Sequence, residues 1–288
     1  MFKIIGSYAE LAKYKLSAAV TLSAVTGYFL SGYSISNDVL IIATGVFFLS
    51  SGSASMNQYS ESEADSIMKR TNRRPIPTKK ITGKNALISS LLFFTAGSIL
   101  LLLNGFVPFL LGAFNAFLYN VVYTRLKKVT LLSIIPGALV GAIPPLIGFS
   151  ASGAQFLNQG IIGFSLFMFL WQLPHFWLII IKYGEEYNAA GFATIAKYLN
   201  DKQIRYLIFF WVLFTTILIF VFFIFSDIRG KVLPPLFLIL NVGFILLFHK
   251  LLFSSKYEGH TKGAFILINS YSLIIMFLFI AASLLNYI

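Results

Sequence analysis

Residues 206–226 read YLIFFWVLFTTILIFVFFIFS, twenty-one consecutive residues without a charge. That is longer and more apolar than a soluble core helix needs, and it matches the roughly 20 residues that cross a bilayer as a helix. Working outward, comparable runs recur at 16–33, 38–57, 85–103, 106–124, 130–150, 160–181, 232–253 and 264–286. Across the 288 residues, 58% are hydrophobic and 11% charged. Hydrocarbon offers no partner to a free backbone N–H or C=O, so such runs are expected to be helices. The sequence therefore predicts an all-α polytopic membrane protein, with nine transmembrane helices in one bundle. No long polar insert divides the runs, so residues 1–288 are expected to form a single transmembrane domain.

Lysine and arginine in short loops tend to stay on the cytoplasmic side. With nine spans, 20 of the 22 basic residues fall on one side, and only Arg229 and Lys231 fall opposite. The amino terminus is thus expected inside and the carboxyl terminus outside. The net charge of +12 follows from the same rule and from attraction to anionic head groups. These charges sit in short loops and form no extended stripe, which argues against a nucleic-acid partner. Absence of cysteine excludes disulfides and thiolate metal sites. The mixed-charge arm YAELAKYK before the first run is unlike a cleavable signal, so that run is expected to remain as a span.

The polar chemistry concentrates at the end of the second run, in NQYSESEADSIMKRTNRRPIP, residues 57–77. Asn57, Glu61 and Asp65 are four apart, which on a helix puts them on one face as a ladder of oxygens. Oxygen-only donors suit a hard cation such as magnesium, shared with substrate phosphates. Lys69, Arg70, Arg73 and Arg74 follow, and arginine forks match phosphate oxygens. Thr71 adds a hydroxyl, Pro75 and Pro77 end the helix, and Glu63 lies off the ladder. The alternative is a solvated loop with weak surface ion pairs.

A second acidic group, KYGEEYNAAG at 182–191, follows the sixth run and carries Glu185 and Glu186. An even number of crossings separates it from the first, so both are expected on the cytoplasmic face, converging on one diphosphate through magnesium. YTRLKKVT at 123–130 puts Tyr123, Arg125, Lys127 and Lys128 on that face too. An anion site over a cavity rich in aromatics, with 31 Phe, 14 Tyr and 3 Trp in the chain, fits a diphosphate with a hydrocarbon tail. Metal and arginine would stabilise the leaving diphosphate, and aromatic faces an allylic cation. That points to prenyl transfer.

At NQYSESEAD and RTNRRP the sequence resembles the UbiA superfamily of intramembrane prenyltransferases, with Glu61 where aspartate is usual. YTRLKKVT, GALVGAIPPLIGFSASG (137–153) and LFMFLWQLPHFWLIIIKYGEEYNAAG (166–191) are similar to the branch of that family that farnesylates haem. The resemblance runs from Leu11 to Gly191; Tyr14, Leu173 and GFATIAK (191–197) depart from its pattern. It implies transfer of farnesyl from farnesyl diphosphate to a vinyl group of haem b, with water addition, giving haem O and diphosphate. Asn57, Glu61 and Asp65 would hold one magnesium and Glu186 a second, while Arg70, Arg74, Lys128 and Tyr123 would bind the diphosphate. The chain would sit in a bacterial-type cytoplasmic (inner) membrane with its site toward the cytoplasm, and a further enzyme would accept the haem O.

His175, inside the sixth run, is an intramembrane ionisable group and hence a haem-pocket candidate; the alternative is a bond to a neighbouring helix carbonyl. His249 and His260 read as hydrated, and Gly141, Pro144, Pro145 and Gly148 as shaping the fifth helix. Two rivals stay open: a sister prenyltransferase acting on an aromatic ring or quinone precursor, and a transporter.

Overall fold

In the computed structural model, residues 2–32, 35–154, 158–225, 233–253 and 260–285 are described. They contain no strand. The helices are α1 (Phe2–Leu11), α2 (Tyr14–Phe29), α3 (Asn37–Ser60), α4 (Ser62–Ile67), α5 (Gly83–Asn104), α6 (Phe106–Leu126), α7 (Ile134–Ala151), α8 (Gln159–Ala189), α9 (Asp201–Phe225), α10 (Leu233–Phe253) and α11 (His260–Leu284). Eight of them are long and apolar enough to cross a membrane: α3 and α5 to α11. The first expected span, 16–33, corresponds to α2, which has only 16 residues. Arg229 and Lys231, the two basic residues expected opposite the rest, lie outside the described residues.

Local chemistry sets the ends. Ser36 accepts from the Asp38 N–H at 3.1 Å, Thr82 from Asn85 at 3.2 Å and Asn158 from Gly160 at 2.7 Å, each capping a helix start. Between α5 and α6, Gly105 takes φ 150°, which side chains disfavour, and the chain reverses there.

Successive helices pack on one another, and α11 returns against both α2 and α8, closing the bundle. Lipid tails are as apolar as leucine, so helices associate through close packing and interhelical hydrogen bonds. The tightest seam joins α2 to α7: a Cβ on Gly27 would lie 1.9 Å from the Pro145 carbonyl oxygen, and one on Gly148 1.7 Å from that of Ala24. The expected shaping role of Gly148 and Pro145 is thus backbone contact with α2. Polar cross-links join other pairs: Ser90 Oγ donates to the Gly52 carbonyl (2.9 Å), Ser283 Oγ to Phe29 (2.7 Å) and Trp171 Nε1 to Ile268 (3.0 Å).

Two helices differ from the reading of the sequence near the site. The second run does not continue as one helix through the acidic ladder. It ends at Ser60, Glu61 takes φ −114° and ψ 12°, and α4 starts afresh at Ser62. Helix-type bonds bridge the break, from Glu61 N to the Asn57 carbonyl (3.0 Å) and from Asp65 N to Glu61 (2.8 Å). The sixth run, expected over 160–181, continues as helix to Ala189. Glu185 and Glu186 therefore stand on its last turns and not in a loop.

Candidate active site

Asn57, Glu61 and Asp65 are 3%, 4% and 1% exposed. Buried carboxylates demand partners, and each acid has one from a different segment. Arg74 Nη1 donates to both Asp65 oxygens, at 2.7 and 2.6 Å, with the Thr71 hydroxyl on the Asp65 carbonyl at 3.0 Å. Lys127, just past the end of α6, pairs with Glu61. Lys13 Nζ donates to Asn57 Oδ1 at 2.9 Å. Lys13 sits at the break between α1 and α2 in a left-handed conformation, φ 46°, and the turn delivers its side chain to the site. Its pKa is pushed down to about 7, chiefly by burial and then by the charges of Arg74 and Lys127, against the pull of Glu61 and Asp65. Burial also lowers Lys127, opposed by Glu61.

The end of α8 completes the cluster. The Arg70 backbone N–H donates to Glu186 Oε2 (3.1 Å) and its Nη2 to the Tyr187 hydroxyl (2.7 Å). Its guanidinium lies over the rings of Tyr183 and Tyr187, 5.6 and 5.5 Å from their centroids. Glu186 is half-buried and Glu185 exposed. The Ala193 N–H bonds the Lys127 carbonyl (3.0 Å), so the loop after α8 is tied to the end of α6. Ala64, Met68 and Phe192 pack together beneath. Four basic side chains, Lys13, Arg70, Arg74 and Lys127, thus stand with three carboxylates, Glu61, Asp65 and Glu186, and an anion bound among them would favour the charged form of Lys13.

From this cluster a line of rings runs into the bundle. Lys127 Nζ lies 5.2 Å from the Tyr123 ring, which stacks on Tyr119 at 5.7 Å and on Phe176 at 6.1 Å. Phe176 meets the edge of His175 at 5.8 Å. Tyr123 closes a π-helical turn, Leu118–Tyr123, a geometry often found at functional sites.

The structure thus brings together Asn57, Glu61, Asp65, Arg70, Arg74, Glu186 and Tyr123. Lys128 is exposed, and its neighbour Lys127 faces Glu61 instead. Tyr123 and Lys127 are four apart, but so are the buried Thr124 and Lys128, so spacing alone does not single out the inward lysine. Lys13 lies 44 residues from its partner Asn57 and no local pattern reveals it. Among the described residues no three acidic or histidine side chains gather around one metal position.

The sequence profile of the UbiA prenyltransferase family matches residues 20–273. A protein of Listeria monocytogenes serotype 4a named protoheme IX farnesyltransferase is 36% identical over 251 residues, 84% of this chain and 82% of the relative. One of the same name from Cytophaga hutchinsonii is 35% identical over 188 residues, 64% of this chain and 65% of the relative. Among solved structures, a UbiA homologue from Archaeoglobus fulgidus bound to GPP and Mg2+ superposes with a TM-score of 0.74 at 16% identity, covering 96% of this chain and 98% of the other. That likeness is one of fold.

Proposed function

The chain belongs to the UbiA prenyltransferase family and is an integral-membrane prenyltransferase, and from that premise we propose that it farnesylates haem. Farnesyl leaves farnesyl diphosphate and joins a vinyl group of haem b, water is added, and haem O and diphosphate result. The observation that carries this reading is the run of rings from Lys127 through Tyr123 and Phe176 to His175, which links an anion site to a half-buried imidazole within α8. The names of the relatives favour haem as acceptor.

Arg70, Arg74, Lys127 and Lys13 bind the diphosphate and stabilise the negative charge that develops as its bond to farnesyl breaks. The faces of Tyr123 and Phe176 shield the allylic cation from water and stabilise it. His175 belongs to the haem pocket. Asn57, Glu61 and Asp65 would hold one magnesium and Glu186 a second, and magnesium, when bound, supplies further positive charge to the leaving group. The donors fit such an ion. They are all hard oxygens, and Glu61 and Asp65 are already held by cationic groups, Lys127 and Arg74, that diphosphate can draw away. The neighbour bound to GPP and Mg2+ supports the pairing of prenyl diphosphate with a divalent metal.

We place the chain as one domain of nine crossings, α2 included, in the cytoplasmic (inner) membrane of a bacterium, amino terminus and site inside. A further enzyme would accept the product. Membranes containing the chain, supplied with farnesyl diphosphate and magnesium, are expected to release diphosphate with haem b and not with aromatic acids or quinone precursors; release with the latter alone would overturn the assignment.

A further inference from the structure

We propose that Gln58 is a positioning residue whose amide holds the end of α1, so that the turn after it carries Lys13 to the diphosphate. The inference rests on Lys13 being a diphosphate ligand.

α1 ends at Leu11 and α2 begins at Tyr14, so two residues make the turn between them. One of the two, Lys13, has φ 46° and ψ 50°, a left-handed conformation that a side chain with a Cβ disfavours. Such a residue persists only where its surroundings fix it. The last carbonyls of a helix have no partner within the helix, so their bonds come from elsewhere. At this end the Lys13 N–H donates to the Glu10 carbonyl at 3.1 Å, and the Ser17 hydroxyl to that of Ala12 at 2.9 Å. Gln58 Nε2 donates to the carbonyls of Glu10 and Leu11, at 3.0 and 2.8 Å. An amide nitrogen carries two hydrogens and accepts nothing, so two carbonyl oxygens beside it fix which end of Gln58 faces them.

Gln58 is 1% exposed, and its Oε1 is buried without a partner. An apolar side chain would fill the space without an unmet oxygen, so what the amide contributes is its two hydrogens. Leu11 packs on Ile81 and Ala86 and holds α1 sideways. Apolar contact is non-directional, and the amide bonds are what orient the chain where the turn begins. Asn57, the residue before Gln58, accepts from Lys13 Nζ at 2.9 Å. Neighbouring residues of α3 therefore hold both ends of the lysine: Gln58 the backbone from which it springs, Asn57 the nitrogen at its tip. Diphosphate can draw the tip from Asn57, whereas the bonds of Gln58 run to backbone and stay in place.

The test is binding of a non-cleavable farnesyl diphosphate analogue, with magnesium, to the purified protein, as a double-mutant cycle. Lys13→Met should weaken binding about 10- to 100-fold, the scale of one charge-assisted hydrogen bond. Gln58→Met, similar in length but without a donor, should weaken it by a comparable factor with helical circular dichroism retained. The double variant should bind no more weakly than Lys13→Met, because a lysine that is absent cannot be misplaced. Gln58→Asn, an amide one methylene shorter, should act in the same direction by a smaller factor, and it takes the place of Gln58→Met in the cycle if that variant does not fold. Unchanged binding in the folded Gln58 variant, with Lys13→Met impaired, overturns the role of Gln58 and spares the diphosphate site. Factors that multiply in the double variant also overturn it, since Gln58 would then act through Asn57 or the fold at large. Unchanged binding in Lys13→Met removes Lys13 from the site and the inference with it. Wild type that does not bind the analogue overturns the inference and the prenyl diphosphate reading together.

Discussion

Arg74→Gln isolates what the cation–carboxylate cluster does for the protein before substrate arrives. Asp65 is 1% exposed and receives Arg74 Nη1 on both oxygens, at 2.6 and 2.7 Å, while the Arg74 side chain keeps 18% of its surface. Removing one partner of a buried ion pair leaves an uncompensated charge and costs about 3–5 kcal/mol. The residual exposure of Arg74 puts the expected loss near the lower end, about 3 kcal/mol, because water can reach the vacated position. Asp65→Asn should cost less, since the guanidinium left behind can hydrate. The double variant Asp65→Asn/Arg74→Gln should recover most of the stability lost by Arg74→Gln, because no buried charge remains without a partner. The assay is unfolding of the detergent-solubilised protein followed by tryptophan fluorescence, as a double-mutant cycle. Equal stability of Arg74→Gln and wild type, or additive losses in the double variant, would refute the pairing.

The other predictions bear on the site and on the seam that supports it. Lys127→Met should raise KM for farnesyl diphosphate at least about tenfold, the scale of one lost charge-assisted bond, whereas Lys128→Met should leave steady-state kinetics close to wild type. Asp65→Asn membranes should make little haem O from haem b, farnesyl diphosphate and magnesium while the helical far-ultraviolet circular dichroism is retained; near-normal synthesis would remove Asp65 from the site. Gly148→Ala puts a Cβ 1.7 Å from the Ala24 carbonyl and should destabilise by about 1–3 kcal/mol as α2 and α7 are forced apart. Gly6→Ala, inside α1 with nothing within 4 Å of its Cβ, is the control in the same unfolding assay and should cause no loss, with a gain of up to about 1 kcal/mol from the helix preference of Ala over Gly.

The helical membrane fold was legible because hydrocarbon imposes one demand on every spanning segment, and uncharged runs such as 206–226 announce it. The fourfold spacing of Asn57, Glu61 and Asp65 was legible for a similar reason: it is a local, helical pattern. What it did not reveal is the helix break at Glu61, whose carboxylate pairs with Lys127, 66 residues further on. Lys13 was hidden because a left-handed turn aims it, and the sequence around it reads as a mixed-charge arm. The choice between Lys127 and Lys128 depends on which side of a helix end faces the bundle, and the boundary of a basic helix end is weakly marked. The sixth span runs past its apolar stretch because Arg70 and the loop after Gly191 hold its last turns in place.

The most direct test of the central claim is to supply membranes containing the chain with isotopically labelled farnesyl diphosphate, haem b and magnesium, and to identify the labelled product by mass spectrometry. The account predicts label in a haem carrying one farnesyl group and one added water, with release of diphosphate in equal amount. Label found instead on an aromatic or quinone precursor of the membrane, with haem b returned unchanged, would contradict it.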